Sequence, residues 1–321
     1  MKLQVSAILA FTGFFGLVYY FTGQDFQTDI QVNNSEINPK FEINRELFPY
    51  KSHFLTLKNG ARIHYIDEGK GPTLLLLHGN PTWSFLYRDI IAALKDDFRL
   101  VVPDYPGFGL SQAPIDYTFT PAEQAQAISE LVQELDLQDM GVMVQDWGGP
   151  IGFDVALKNP QRVSRFIIGN TFAWPLERMG QKTFSTIMGG WPGQFASWCC
   201  NGVVQFFMRR GVVNKITKEE LAMYLAPFKE KHQRNPTHIF PAQLLDAKPY
   251  LSNLSKQLDT LSNLPVLIVW GLKDFAFQEP ERTRFESLFP KHKTVLLKNA
   301  GHFIQEDAPD EIASAIRKFY R

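Results

Sequence analysis

One stretch of the chain sets a reactive side chain in a demanding place. The apolar run Gly141-Val142-Met143-Val144 reads as a short buried strand, and it stops at Gln145 and a single carboxylate, Asp146. Trp147, Gly148, Gly149 and Pro150 follow, and then a helix-like stretch. A strand-to-helix turn flanked by glycines lifts the residue at its apex clear of its neighbours; the common spelling, G-x-S-x-G, has serine there. Serine needs a base to take its proton before it attacks. Aspartate is already ionised at neutral pH and attacks saturated carbon directly.

Two more polar residues stand just past strand-like runs. Asp274 lies in Gly271-Leu272-Lys273-Asp274, after Val266 to Trp270, and His302 lies in Ala300-Gly301-His302-Phe303, after Thr294 to Leu297. Ligands of open parallel sheets bind beyond the carboxyl ends of the strands, so Asp146, Asp274 and His302 would share one rim. Asp274 would hold the imidazole through one nitrogen and stabilise its cation, which leaves the other nitrogen to take a proton from water. Taken singly, Asp274 could cap a turn and His302 could be a hydrogen-bonded loop histidine. Three such residues in sequence, each after its own strand, favour the joint reading.

Two neutral donors complete the set. Trp147 has an indole N–H and no acceptor, and Asn80, in His78-Gly79-Asn80-Pro81, offers an amide N–H after another strand. Beside a carboxylate nucleophile they suit a departing halide. The blander alternatives are a core tryptophan and a turn-forming asparagine. The backbone N–H groups of the same two residues lie where an oxyanion would be held. His78 reads as a hydrogen-bonded support. Neither H-E-x-x-H nor a paired C-x-x-C is present, so no metal site is expected. Gly107-Phe108-Gly109 lacks the spacing of a dinucleotide loop and reads as a tight turn; no cofactor is expected.

Elements that would position these residues follow from periodicity. His53 to Leu57 and Arg62 to Ile66 form a hairpin at Asn59-Gly60. Leu74 to Leu77 and Phe98 to Val102 are strands, Ser84 to Lys95 and Pro121 to Leu135 are helices, and Arg165 to Gly169 is a further strand. From about 170 to 260 the alternation breaks into aromatics, glycines and short helical pieces such as Lys218 to Leu225, too long for a loop, so a helical cap is expected. A helix near Glu279 to Leu288, the strand Thr294 to Leu297 and a terminal helix from Pro309 complete the chain. The expected fold is α/β: a mostly parallel eight-stranded sheet flanked by helices, with nucleophile, acid and base in the order of α/β-hydrolases. The main domain would be 41–169 with 261–321, and the cap 170–260. Phe172, Trp174, Phe240 and Pro241 are the expected lining of an apolar cavity, with Phe206 and Phe207 as further candidates.

Composition narrows the partners. Lys+Arg and Asp+Glu both number 33 in 321 residues, so no global basic field draws in nucleic acid. Its two cysteines, Cys199 and Cys200, are adjacent, which rules out a disulfide framework and leaves the redox compartment open. From Leu3 to Gly23 there is no charge, and a helix of roughly 20 residues spans about 30 Å of bilayer. Lys2 before the run and Asp25 and Asp29 after it favour an extracytoplasmic body. An uncleaved anchor over 1–23 with a polar linker over 24–40 is the expectation, and a cleaved signal segment with a secreted or periplasmic product is the alternative.

With these residues in hand, the sequence resembles the haloalkane dehalogenases from about Phe48 to the C-terminus. The resemblance rests on Arg62-Ile63-His64-Tyr65-Ile66-Asp67-Glu68-Gly69, on His78 to Arg88, on Gln145-Asp146-Trp147-Gly148-Gly149 and on Gly301-His302-Phe303. Members with an Asn–Trp donor pair often carry a glutamate after the sixth strand; here that position is Asn170, so the acid falls to Asp274, as in the third subfamily. The resemblance implies hydrolysis of a small halogenated apolar substrate to alcohol, halide and a proton. An epoxide hydrolase would need cap tyrosines such as Tyr224 or Tyr250 on the ring oxygen. A fluoroacetate dehalogenase would want cationic groups where Trp147 stands, a luciferase-like oxygenase shares the fold, and a membrane-tethered binding module would have lost catalysis.

Overall fold

A computed structural model of the chain describes residues 41–321; the expected anchor or signal segment (1–23) and linker (24–40) lie outside them. No helix among the described residues is long and apolar enough to cross a membrane. Eight strands make one sheet: β1 (His53–Thr56), β2 (Arg62–Glu68), β3 (Thr73–Leu77), β4 (Arg99–Pro103), β5 (Met140–Asp146), β6 (Val163–Thr171), β7 (Val266–Gly271) and β8 (His292–Leu297). Their spatial order is β1-β2-β4-β3-β5-β6-β7-β8. β2 pairs antiparallel with both β1 and β4, and every other neighbour is parallel. Gly60, at φ +86°, makes the hairpin turn between β1 and β2, where a side chain would be strained.

The central strands read as continuous apolar runs because helices cover both faces. Leu74, Leu75, Leu76 and Leu77 are all fully buried. The register lines up Leu75 with Val142, Val142 with Phe166, and Phe166 with Val266. Before β6 the helices are α1 (Arg88–Leu94), α2 (Pro121–Glu134) and α3 (Gly148–Lys158). The helix expected from Ser84 opens instead as a 3-10 turn, Ser84–Tyr87, with the Ser84 N–H, a first-turn donor that has no partner within the helix, taken by Asp104 Oδ1 at 2.7 Å. Behind the sheet, Phe153 of α3 stacks on Phe285 and Phe289 at 5.7 and 6.0 Å. Burying such rings contributes about 1.5–3 kcal/mol each.

Between β6 and β7 lie six α-helices, α4 (Met179–Gly189), α5 (Trp191–Cys200), α6 (Gly202–Arg210), α7 (Lys218–Leu225), α8 (Asn235–Asp246) and α9 (Lys248–Gln257). The chain ends with α10 (Glu279–Leu288), α11 (Ile304–Asp307) and α12 (Pro309–Tyr320). A buried ionic cluster ties this helical segment to the sheet domain. Arg88 of α1 grips both oxygens of Glu306 in α11 (2.5 and 2.8 Å) and reaches Glu220 of α7 (2.9 Å). Tyr224 of α7 donates to the same Glu306.

Candidate active site

Asp146 ends β5 at φ +51°, a left-handed conformation that costs an L-residue energy and turns its carboxylate out of the strand. The neighbours have to be small for this turn to close. A Cβ on Gly79 would sit 2.3 Å from Asp146 Oδ1, and one on Gly148 would sit 2.3 Å from the Leu77 carbonyl oxygen. Thr171, at the end of β6, donates its hydroxyl to the Asp146 carbonyl (2.5 Å) and locks the turn from the other side. The Asn80 backbone N–H donates to Asp146 Oδ1 at 2.8 Å.

His302 follows β8 and meets both carboxylates. Its Nδ1 is 3.0 Å from Asp274 Oδ2, and its Nε2 is 3.6 Å from Asp146 Oδ2. The Ala276 N–H donates to Asp274 Oδ1 at 2.7 Å, which fixes the carboxylate plane. The His302 backbone N–H donates to the Gly211 carbonyl just after α6 (2.7 Å), so the helical segment helps hold the loop. Burial pulls the imidazole down, but the charge of Asp274, its hydrogen bond with Nδ1 and the nearby Asp146 outweigh it and push His302 up to about 10. The two neighbouring aspartates thus favour the protonated form of the imidazole.

The two residues expected as donors adjoin Asp146, Asn80 through its backbone N–H and Trp147 as the next residue of the chain. Trp147 caps the start of α3, with its ring edge-on to Phe172 (5.0 Å) and Phe240 (5.4 Å). Its indole N–H meets no acceptor among the described residues. Asn80 donates its side-chain amide to the Thr237 carbonyl of α8 at 3.4 Å, a long bond, while its Oδ1 is buried without a partner. His78 supports the loop: Nδ1–H donates to the Gly79 carbonyl (2.9 Å) and Nε2 accepts from the Tyr105 N–H (3.2 Å). Burial pulls it down to about 4, so it stays neutral. Asn170, in the position of an alternative acid, spends its side chain on β7, accepting from Gly271 N–H (2.7 Å) and donating to the Gly271 carbonyl (3.0 Å).

Of the expected lining residues, Phe172 and Phe240 touch Trp147, and Phe172 also stacks on Phe277 (5.1 Å). Pro241 lies inside α8, and its carbonyl accepts from Ser185 of α4 at 2.6 Å. The Trp174 ring packs on Phe285 (4.7 Å) beneath the Arg284 guanidinium (4.1 Å), where the chain leaving β6 runs over α10. Phe206 is 44% exposed, and Phe207 stacks on Phe275, a neighbour of His302. Tyr224 and Tyr250 are committed elsewhere, Tyr224 to Glu306 and Tyr250 to the Pro150 carbonyl and Asp154, both at 3.2 Å.

Gln145 escapes sequence reasoning. Fully buried, it donates from Nε2 to the His302 carbonyl (3.0 Å) and lies 3.2 Å from His302 Nε2. Its place next to Asp146 is the one signal that could have marked it. No cluster of three metal-ligating side chains occurs among the described residues.

The family described as alpha/beta hydrolase fold matches residues 72–309. Haloalkane dehalogenase 2 of Mycobacterium bovis is 44% identical over 273 residues, 84% of this chain and 95% of that protein. The cis-3-alkyl-4-alkyloxetan-2-one decarboxylase of Shewanella oneidensis is 32% identical over 299 residues, 85% of this chain and 89% of that protein. The crystal structure of a haloalkane dehalogenase from Bradyrhizobium elkani superposes with a TM-score of 0.77 at 25% identity, over 84% of this chain and 97% of that one.

Proposed function

We propose a reaction course from one premise: the chain belongs to the haloalkane dehalogenases of the alpha/beta hydrolase fold and hydrolyses carbon–halogen bonds. Asp146 is the nucleophile. Its Oδ1 is held by the Asn80 N–H at 2.8 Å, which leaves Oδ2 to displace halide in line and form an alkyl ester. The leaving halide is received by the Trp147 indole N–H and the Asn80 side-chain amide, both neutral. These donors match the Asn–Trp pair of the third subfamily, and Asp146, His302 and Asp274 match its Asp-His-Asp triad.

Esterification removes the charge of Asp146, one of the groups that hold the His302 proton on. The imidazole thus becomes a competent base once there is an ester to hydrolyse. It deprotonates a water that attacks the Asp146 carbonyl carbon. The oxyanion grows on Oδ1, where the backbone N–H groups of Asn80 and Trp147 receive it. Alcohol, halide and a proton leave. The helices of 170–260 form the cap over the main domain of 41–169 and 261–321, with Phe172 and Phe240 beside the halide site. The segment 1–23, with its uncharged run Leu3 to Gly23, anchors the protein in a membrane with the catalytic body outside the cytoplasm. Engaged hydroxyls on Tyr224 and Tyr250 weigh against epoxide opening.

One observation carries the reading: a carboxylate at a strained elbow, with His302 Nε2 3.6 Å away and backed by Asp274. Intact-mass analysis of His302→Ala with saturating 1-bromobutane tests it. The expected product is a butyl ester on Asp146 that does not turn over, and an unmodified mass refutes the scheme. A cis-3-alkyl-4-alkyloxetan-2-one, offered to the native enzyme in parallel, tests the reaction named for the Shewanella relative. Olefin and carbon dioxide without halide release from haloalkanes would transfer that reaction to this chain.

A further inference from the structure

The outer face of α5 is unlike the surface of an ordinary globular helix. The helix Trp191–Cys200 contains no charged residue. Gly193, Ala196 and Ser197 face inward. Trp191, Phe195 and Trp198 recur at a spacing of four and three, on one outward stripe, with Trp191 58% and Trp198 39% exposed. Trp191 and Phe195 stack on each other at 5.5 Å. Solvent-facing tryptophans of this kind suit a layer that is apolar on one side and wet on the other.

The stretch of chain that carries the stripe is one-sided in charge, although the turn packed on α5 through Arg234 also brings the exposed acid Glu230. Between Glu177 and Glu219 the chain holds no acid and six bases, Arg178, Lys182, Arg209, Arg210, Lys215 and Lys218, in a molecule whose overall charge is zero. Arg178 and Lys182 are spent on Glu281 and Glu177. The other four join no ion pair among the described residues. Each base near an anionic bilayer adds about 1 kcal/mol of attraction. The chain before the described residues also fits this partner. Its first 23 residues contain the uncharged run Leu3 to Gly23, and Gln24 to Lys40 is a polar stretch that reaches at most about 60 Å when fully extended.

We propose that α5 docks on the surface of an anionic lipid bilayer, with Trp191, Phe195 and Trp198 in the headgroup layer. The proposal rests on reading 1–23 as a membrane anchor. It also ties the docked face to the reaction. Trp198 packs on His238 of α8 (5.9 Å), and Ser197 shares a 2.7 Å hydrogen bond with Thr237, whose carbonyl takes the Asn80 amide. A single helix, α8, stands between the lipid-facing stripe and the halide donors, so an apolar haloalkane dissolved in the bilayer has a short way to the site.

The test uses the full chain, labelled with an environment-sensitive fluorophore on Cys199 and Cys200, its two cysteines, both exposed on α5. The protein is mixed with phosphatidylglycerol/phosphatidylcholine vesicles carrying a nitroxide near the headgroup. The expected result is co-sedimentation with a blue-shifted label quenched at least twofold. The variant Trp191→Glu, at the most exposed ring of the stripe, should still sediment and still release halide from 1-bromobutane in detergent at the native rate, but lose the quenching. Sedimentation of the native chain without quenching overturns the docked face and leaves the anchor standing. Protein left in the supernatant overturns both. A label that shifts with protein concentration in the absence of lipid assigns the stripe to a second copy of the chain and overturns the lipid proposal.

Discussion

Replacing Asp274 by Asn should separate the two halves of the reaction. The carboxylate lies 3.0 Å from His302 Nδ1, and at an effective dielectric of about 20 a charge pair at that distance is worth roughly 5.5 kcal/mol. Asparagine keeps the shape and loses the charge. It also reverses a proton. The Ala276 N–H, 2.7 Å from Oδ1, keeps an oxygen at that end, so the new amide nitrogen faces Nδ1 and donates to it. The imidazole proton is then driven to Nε2, the nitrogen that has to act as base. Hydrolysis should slow about 10³–10⁴-fold, the size seen when a triad histidine is held in the wrong tautomer. Alkylation needs no base and should stay within about tenfold of the native rate. Rapid-quench measurement of bromide from 1-bromobutane should therefore show a burst of one halide per site and then a slow phase, with the alkyl adduct persisting by mass. A native steady state with no burst would refute the tautomer argument. Neither halide nor adduct would refute Asp146 as a nucleophile independent of His302.

Three further outcomes follow from the geometry. Trp147→Phe removes one donor to the developing halide, worth about 1.5–3 kcal/mol, so single-turnover alkylation should fall about 10–100-fold while ester hydrolysis barely changes; an unaltered burst would place the halide elsewhere. His302 is raised from 6.5 to about 10 in the folded state, so its contribution to stability is complete below pH 6.5 and is lost as pH climbs through about 10. Urea midpoints at pH 7 and 10.5 should show that loss, and His302→Gln should flatten it. Arg88→Met strands the Glu306 carboxylate, only 6% exposed, and should cost about 3–5 kcal/mol, read as a lower thermal midpoint that Glu306→Gln partly restores.

The strand ends were legible because chemistry there sits next to a strong local signal. Val142 to Val144 and Val266 to Trp270 are unbroken apolar runs, and the polar residue that ends or follows each one stands out. The capping of Ser84 was not legible, since the carboxylate that accepts its N–H is Asp104, twenty residues on. The same holds for Arg88 and Glu306, partners 218 residues apart. Trp174 shows the limit for aromatic residues in a helical segment. Composition says that such a ring is buried; only packing says that it rests on Phe285 rather than beside Trp147. Gln145 reads as an ordinary strand-end residue until the His302 loop is folded against it.

The long bond from Asn80 Nδ2 to the Thr237 carbonyl sets a threshold for any anion entering the site. In the proposed scheme a halide taking the Asn80 amide displaces a backbone oxygen, so the ion is credited only with the difference between the two acceptors. The same oxygen is waiting when bromide or chloride has to go. On that scheme, exit of the ion is an exchange of partners, and it should leave easily from donors that carry no charge.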